Sequence, residues 1–395
     1  MKDETTRLEE GQGAFCDIIK GALYQEDESI FDRLDFYNDT IFLEPMLFGY
    51  CTSKTVPYNR EQILFGYYDK ENRPSNIEVY TNKRGVVYLP QYGYLKTVFP
   101  STLLQLNYDA KAEVIYLEQN GQHVEFEWEA LHYLDVLPNV EISTSLDAYS
   151  EGLIAAWPNV SPTAIHKVLQ EDNISIKTYQ PALEEAFRIL KTYFPEEFKF
   201  YTTTTRRILL FSSPELRNFA TREAHGVIYL NVNAQSTVAF FLEELIHQCS
   251  HTVFNAMTCD TQALFLVDYN RPVGDFVPNY DRRTLYSALH GIYTTGRIVD
   301  LLLQLLKQKP PFDVELLYEL EGRIAINKKR HNIGLERVPL DEVFTPKGKA
   351  LFNYYYQQLD HNIKANTSFF DYNMQTHPVV FNYQKFKADN PLVKG

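Results

Sequence analysis

The sequence predicts an α+β protein: a β-rich N-terminal region followed by a mainly helical region. Two observations carry this. From about residue 40 to 135, short runs rich in Tyr, Val, Ile and Phe alternate with turn residues, the pattern of half-buried strands. Beyond about residue 150 the runs lengthen to helical size, with Ser-Pro and Thr-Pro start signals at Ser161 and Thr345. A chain of 395 residues exceeds one ordinary core. We therefore expect two parts, 1–150 and 151–395, divided within Leu137–Gly152, whose composition reads as a loop.

Residues 1–25 read as a polar arm leading into a short amphipathic helix from Phe15 to Leu23. Strands are expected at Ile77–Tyr80, Gly85–Leu89, Glu113–Leu117 and His123–Trp128. Asn120-Gly121 between the last two is a hairpin signal. Helices are expected from Pro162, from Pro181 to Tyr193, and at about 283–308, 312–332 and 346–364. Arg206–Phe211 and Val227–Val232 read as strands that lead into a helix starting after Ser236, its expected cap.

The composition, 45% hydrophobic and 23% charged, is that of a globular protein. A formal net charge of −13 argues against a general affinity for nucleic acid or for an anionic membrane. No run reaches the length of a membrane span, and the charged N-terminus lacks a signal core. Cys16, Cys51, Cys249 and Cys259 show no disulfide-framework spacing. A reducing, cytoplasmic setting is the expectation.

Chemistry concentrates on the helix Ser236–Asp260. It is apolar on nearly every face and therefore belongs inside the protein. Its middle nevertheless carries His247 and His251, four apart and stacked on one face. Buried imidazoles need partners: either Glu243, Glu244 or a carbonyl in a plain core, or a shared metal ion, as in H-E-x-x-H sites. The metal option makes 151–395 a candidate metal-binding region. Glu243 cannot join both histidines on one ion, because residues eight apart are about 12 Å apart along a helix. The third ligand must come from elsewhere. His290 is the preferred candidate, and Asp260, Asp268 or Asp281 would instead give a two-His, one-carboxylate site. Arg283, seven residues before His290 and on the same face of an expected helix, is a candidate for binding a carboxylate.

Gln248 stands where H-E-x-x-H proteases place their glutamate base. An amide cannot take a proton from metal-bound water, so chemistry in which the metal activates the co-reactant fits better than hydrolysis. Glu244-Leu-Ile-His247 also has di-iron E-x-x-H spacing, with Glu129-Ala-Leu-His132 as its only counterpart.

Leu245-Ile-His-Gln-Cys-Ser-His251 resembles the L-x-H-E-x-x-H segment of bacterial HEXXH motif-containing peptide-modification proteins. Residues 206–213 and 226–231 resemble that family's approach to the motif. Asp281-Arg-Arg-Thr-Leu-Tyr-Ser-Ala-Leu-His-Gly291 resembles its D-x-R-x-L-x-x-x-L-H-G segment, and Phe344-Thr-Pro-Lys-Gly-Lys349 a late L-T-x-x-G element. The resemblance implies an iron(II)- and 2-oxoglutarate-dependent oxygenase that uses dioxygen to hydroxylate side-chain β-carbons of a ribosomally made precursor peptide. It also implies His247, His251 and His290 as metal ligands. Arg283 falls on the family's arginine and, by charge and spacing, is the candidate for the 2-oxoglutarate carboxylate. Gln248 departs from the pattern. A zinc-binding, hydrolase-like protein and an inactive peptide-binding protein are the alternatives. The N-terminal region, by composition alone, could bind the peptide as an added strand.

Overall fold

Alternation builds the β-rich region as expected. In the computed structural model, which describes residues 3–52, 59–156, 160–170, 174–278, 283–330, 335–378 and 380–392, Asn76–Tyr80 pairs antiparallel with Leu103–Asp109, then Val114–Gln119, then Gln122–Val124. Ile77, Val79, Leu104, Leu106, Ile115 and Leu117 all face one core, joined by Val87, Leu89 and Leu95 of a three-stranded sheet. Asn120 and Gly121 both take positive φ, 51° and 77°. That is the turn geometry that matches strand twist in a two-residue hairpin. The expected strand His123–Trp128 is broken: Gln122–Val124 stays in the first sheet and Glu127–Glu129 joins the second.

Two expectations are corrected. The N-terminal polar arm is a single helix, Glu4–Glu26, capped by Asp3, whose carboxylate accepts from Thr6 N at 2.7 Å. Leu137–Ser143 is not a loop but a strand inside a five-stranded sheet, parallel to Arg207–Phe211, which in turn runs parallel to Val227–Asn231. The chain forms two compact units interleaved in sequence, one of Met1–Pro181, Lys199–Asn233 and Asn255–Met257, the other of Ala182–Phe198, Ala234–Phe254 and Thr258–Gly395.

The strand Leu137–Ser143 reads as polar because it borders a buried polar cluster. Arg207 donates to Asp147 at 2.8 Å and to Ser145 O at 2.7 Å, and its guanidinium lies 4.1 Å from the Tyr88 ring centre. Tyr88 and Tyr94 both donate to Glu141. Buried charge of this kind persists only when paired and hydrogen-bonded.

Helices dominate the second unit. Leu285–Lys307 packs against Val314–Arg330 and Pro346–Ala365. Thr345 caps the last of these, accepting from Gly348 N at 3.2 Å, and donates to Ala263 O at 2.7 Å. Gly348 is needed for that docking: a Cβ there would stand 2.0 Å from Leu264 O. Backbone on both sides leaves nothing soft to yield. Gly348→Ala is expected to cost about 1–3 kcal/mol by overpacking. Chemical denaturation checks this, and an unchanged midpoint would contradict it.

Candidate metal centre

The histidine helix is Val238–Met257. Its cap is Thr237 rather than Ser236: Thr237 Oγ1 accepts from Phe240 N at 3.1 Å. The same hydroxyl donates to Glu319 at 2.9 Å, fixing the start of the helix against Val314–Arg330. Glu243, fully buried, turns to that neighbouring helix as well. Its two oxygens take Arg323 and Arg330, each at 2.6 Å. It is thereby committed to a buried ion cluster, separate from the histidines that follow it.

His247 and His251 lie one turn apart with ring centres 5.0 Å apart, both half-buried. His290, carried by Leu285–Lys307, meets them: its Nε2 is 2.9 Å from His251 Nδ1. That separation suits an imidazole hydrogen bond. It is also close to the spacing of two donors about 2.1 Å from one ion, which stand about 3.0–3.4 Å apart in octahedral or tetrahedral geometry. His290 is 8% exposed and is held by Phe254, stacked at 4.9 Å, and by Tyr286 at 5.4 Å. Burial, reinforced by the His290 and His247 imidazoles, pushes the pKa of His251 well below the ordinary histidine range. It is therefore neutral, with a lone pair to offer.

His247 lies beside this pair without joining it. Its Nδ1 is 3.3 Å from Gln248 Nε2 and 3.7 Å from Glu244 Oε2, and its Nε2 meets no protein hydrogen-bonding atom among the described residues. Gln248 Nε2 donates to Glu244 Oε2 at 3.0 Å, while its buried Oε1 has no partner among the described residues. Burial raises the pKa of Glu244. The hydrogen bonds and charge of His247, helped by Gln248 and Arg330, lower it by more, so the carboxylate stays ionised.

The donor chemistry fits a metal ion in part. Three imidazoles cluster and two present nitrogens at ligand spacing, yet among the described residues no three His, Cys, Asp or Glu side chains converge on one point. Asp260 and Asp268 are exposed and brace local turns, accepting from Ala263 N at 3.2 Å and Asn270 N at 2.9 Å. Asp281 lies outside the described residues. The di-iron pattern finds no support: Glu129 ends a strand rather than lying on a bundle helix.

Arg283 is placed differently from expectation. The helix begins at Leu285 with Thr284 as its cap, and Arg283 precedes it, its carbonyl accepting from Val273 N at 2.9 Å. The argument from a shared helical face does not apply to it. What sequence reasoning missed is the Glu244–Gln248 bridge and the aromatic support of His290. Both have a signal, the i, i+4 spacing of Glu244 with Gln248 and of Tyr286 with His290.

The chain matches no protein-family model and no curated protein. The family resemblance drawn above is therefore carried by its motifs alone.

Proposed function

We propose that His247, His251 and His290 hold a single iron(II) and that the protein is a 2-oxoglutarate-dependent oxygenase hydroxylating side-chain β-carbons of a ribosomally made precursor peptide. The observation that carries this reading is the His251–His290 nitrogen pair at 2.9 Å with His247 one turn away, on a helix that is otherwise apolar. Bound iron would let dioxygen oxidise 2-oxoglutarate to succinate and carbon dioxide while the second oxygen atom enters a peptide C–H bond. The chain supplies neutral donors and a rigid seat. Phe254 and Tyr286 fix the His290 ring, and His251 stays unprotonated. Gln248 offers no base, since its N–H side faces Glu244. This favours oxygenation over protease-type hydrolysis. Arg283 is the cation we assign to the far carboxylate of 2-oxoglutarate.

Anaerobic iron(II) binding followed by 2-oxoglutarate titration tests the whole set. A weak visible charge-transfer band is expected, absent in His290→Ala. Arg283→Ala should need about 10-fold more 2-oxoglutarate or beyond, the loss of one charge-assisted hydrogen bond. Bound metal without the band would replace this reading with a zinc-type site. No bound metal would make the histidines a hydrogen-bonded core pair. Among the described residues no helix is long and apolar enough to cross a membrane.

A further inference from the structure

We propose that an aromatic patch at residues 24–37 docks a basic segment of another polypeptide, one with Lys or Arg set between apolar residues. Its rings take the cationic side chains and its carboxylates steer them in. The patch lies wholly within the first unit and needs no metal.

Four large rings join at the surface. Tyr24 lies 6.4 Å from Phe31, Phe31 5.4 Å from Phe36, and Phe36 5.5 Å from Tyr37, between ring centres. Tyr24 is 57% exposed, Phe36 44% and Tyr37 89%. Buried Phe42, 6.0 Å from Phe31 and 6.4 Å from Phe36, ties them to the core. Single exposed apolar residues are ordinary, whereas a joined cluster rimmed by charge marks an interaction surface. Aromatic rings also lose little freedom on binding, which suits them to anchor a partner.

The chain itself displays the chemistry of the occupant. The Lys20 ammonium stands 4.5 Å from the ring centre of Phe36 and 4.8 Å from that of Phe42, and it pairs with Asp39 at 2.9 Å. Ring and carboxylate already hold one cation together there. Farther along the patch the same two parts lack the cation. Tyr37 offers an open ring, and Asp35 accepts from its backbone N at 2.9 Å. Asp32, next to Phe31 in the chain, is exposed. Lys20 and Arg33, the cations nearest in sequence, are committed to Asp39 and, at 3.0 Å, to Glu61. Asp32 and Asp35 thus have no cation of their own among the described residues. This charge selects among occupants. A second copy would set like charges face to face, and an anionic membrane would be repelled. A segment with Lys or Arg between apolar residues satisfies rings and carboxylates at once.

Fluorescence anisotropy on the full chain tests this with two labelled peptides, Lys-Leu-Arg-Leu-Lys-Leu-Arg and the same peptide with Ser at each Leu. The leucine peptide is expected to bind about 10-fold more tightly than the serine one. Tyr37→Ala removes a mostly exposed ring, leaves folding alone and should weaken that binding about 10-fold. Asp32→Asn with Asp35→Asn should weaken it by about the same factor and flatten its salt dependence. Glu125→Gln with Glu127→Gln removes as much charge at exposed positions elsewhere and should change the affinity by less than about twofold. A chain of net charge −13 attracts any basic peptide, so equal losses in the two charge variants overturn the proposal. Failure of the leucine peptide to bind overturns it too, as does binding indifferent to Tyr37→Ala. Self-association abolished by Tyr37→Ala, read by sedimentation, would give the patch to a second copy instead.

Discussion

Glu243→Gln is expected to destabilise the protein by about 3–5 kcal/mol, the cost of leaving a buried charge without its partner. Glu243 is fully buried and takes both Arg323 and Arg330 at 2.6 Å. Arg323 in turn reaches Glu319 at 2.6 Å, so two guanidinium groups are balanced by two carboxylates. Arg323 also lies between the rings of Phe240 and Phe381, at 5.6 Å and 4.9 Å, where little water can solvate it. Removing one carboxylate leaves the cluster with a net positive charge and turns an amide N–H toward a guanidinium. Asp360, paired with Lys364 on an exposed helix face, is the control. Asp360→Asn should cost under about 1 kcal/mol, as exposed pairs do. Urea denaturation of the two variants decides the matter. If both lose the same small amount, the Glu243 cluster is no more than a surface-type ion pair.

That cluster also marks what the sequence could and could not reveal. The helix starts at Thr345-Pro346 and Ser161-Pro162 were legible because capping is a local rule. The Asn120-Gly121 hairpin was legible because its turn demands positive φ at both residues. The stretch Leu137–Gly152 looks like a loop for a non-local reason. Glu141, Ser143, Ser145, Asp147 and Ser150 are loop-type residues, yet all five bond to one another or to Arg207, and Ser143 also to Tyr94, inside the fold. Polarity predicts solvent only when no partner sits elsewhere in the chain, and Arg207 is some sixty residues on. Glu243 shows the same limit. Its spacing placed it beside the histidines, while its partners lie some eighty residues away on another helix.

For the candidate metal centre, the histidine pair and His290 could be read directly, because His at i, i+4 and a third His on a second apolar helix are visible in one dimension. The role of Arg283 was argued from a helical face, and a two-residue error in the helix start removed that argument. Glu244 reads in the sequence as a core partner of the histidines or as part of a di-iron E-x-x-H element, not as the partner of Gln248. Its proximity to His247 Nδ1 and Gln248 Nε2 depends on rotamers, which spacing leaves open.

The acid limb of the stability curve should draw on His251 and on a second buried histidine, His225. This ring is 1% exposed, packed against Phe15 at 4.6 Å and Phe48 at 5.2 Å. Its Nε2 bonds Gln12 Oε1 at 3.1 Å, and its Nδ1 has no partner among the described residues. Burial, with Arg206 and Arg222 nearby, pushes its pKa from 6.5 down to about 3. A second proton would go to a nitrogen with nothing to receive it. Above about pH 6.5 neither the folded nor the unfolded chain protonates this ring, and it contributes no pH dependence. Between about 6.5 and 3 only the unfolded chain binds the proton, so stability falls as pH falls, roughly tenfold in the folding equilibrium per unit. The full loss is on the order of 4–5 kcal/mol. Glu44 works in the opposite sense: burial raises it to about 7, so its contribution is lost as pH rises from about 4.5 to 7. Comparing His225→Phe with the parent protein at each pH cancels Glu44 and isolates the histidine. The variant should start less stable, because Gln12 loses its partner, and then gain on the parent steadily below pH 6.5. Parallel denaturation curves from pH 7 to 4 would show that His225 is protonated as easily inside the fold as outside it.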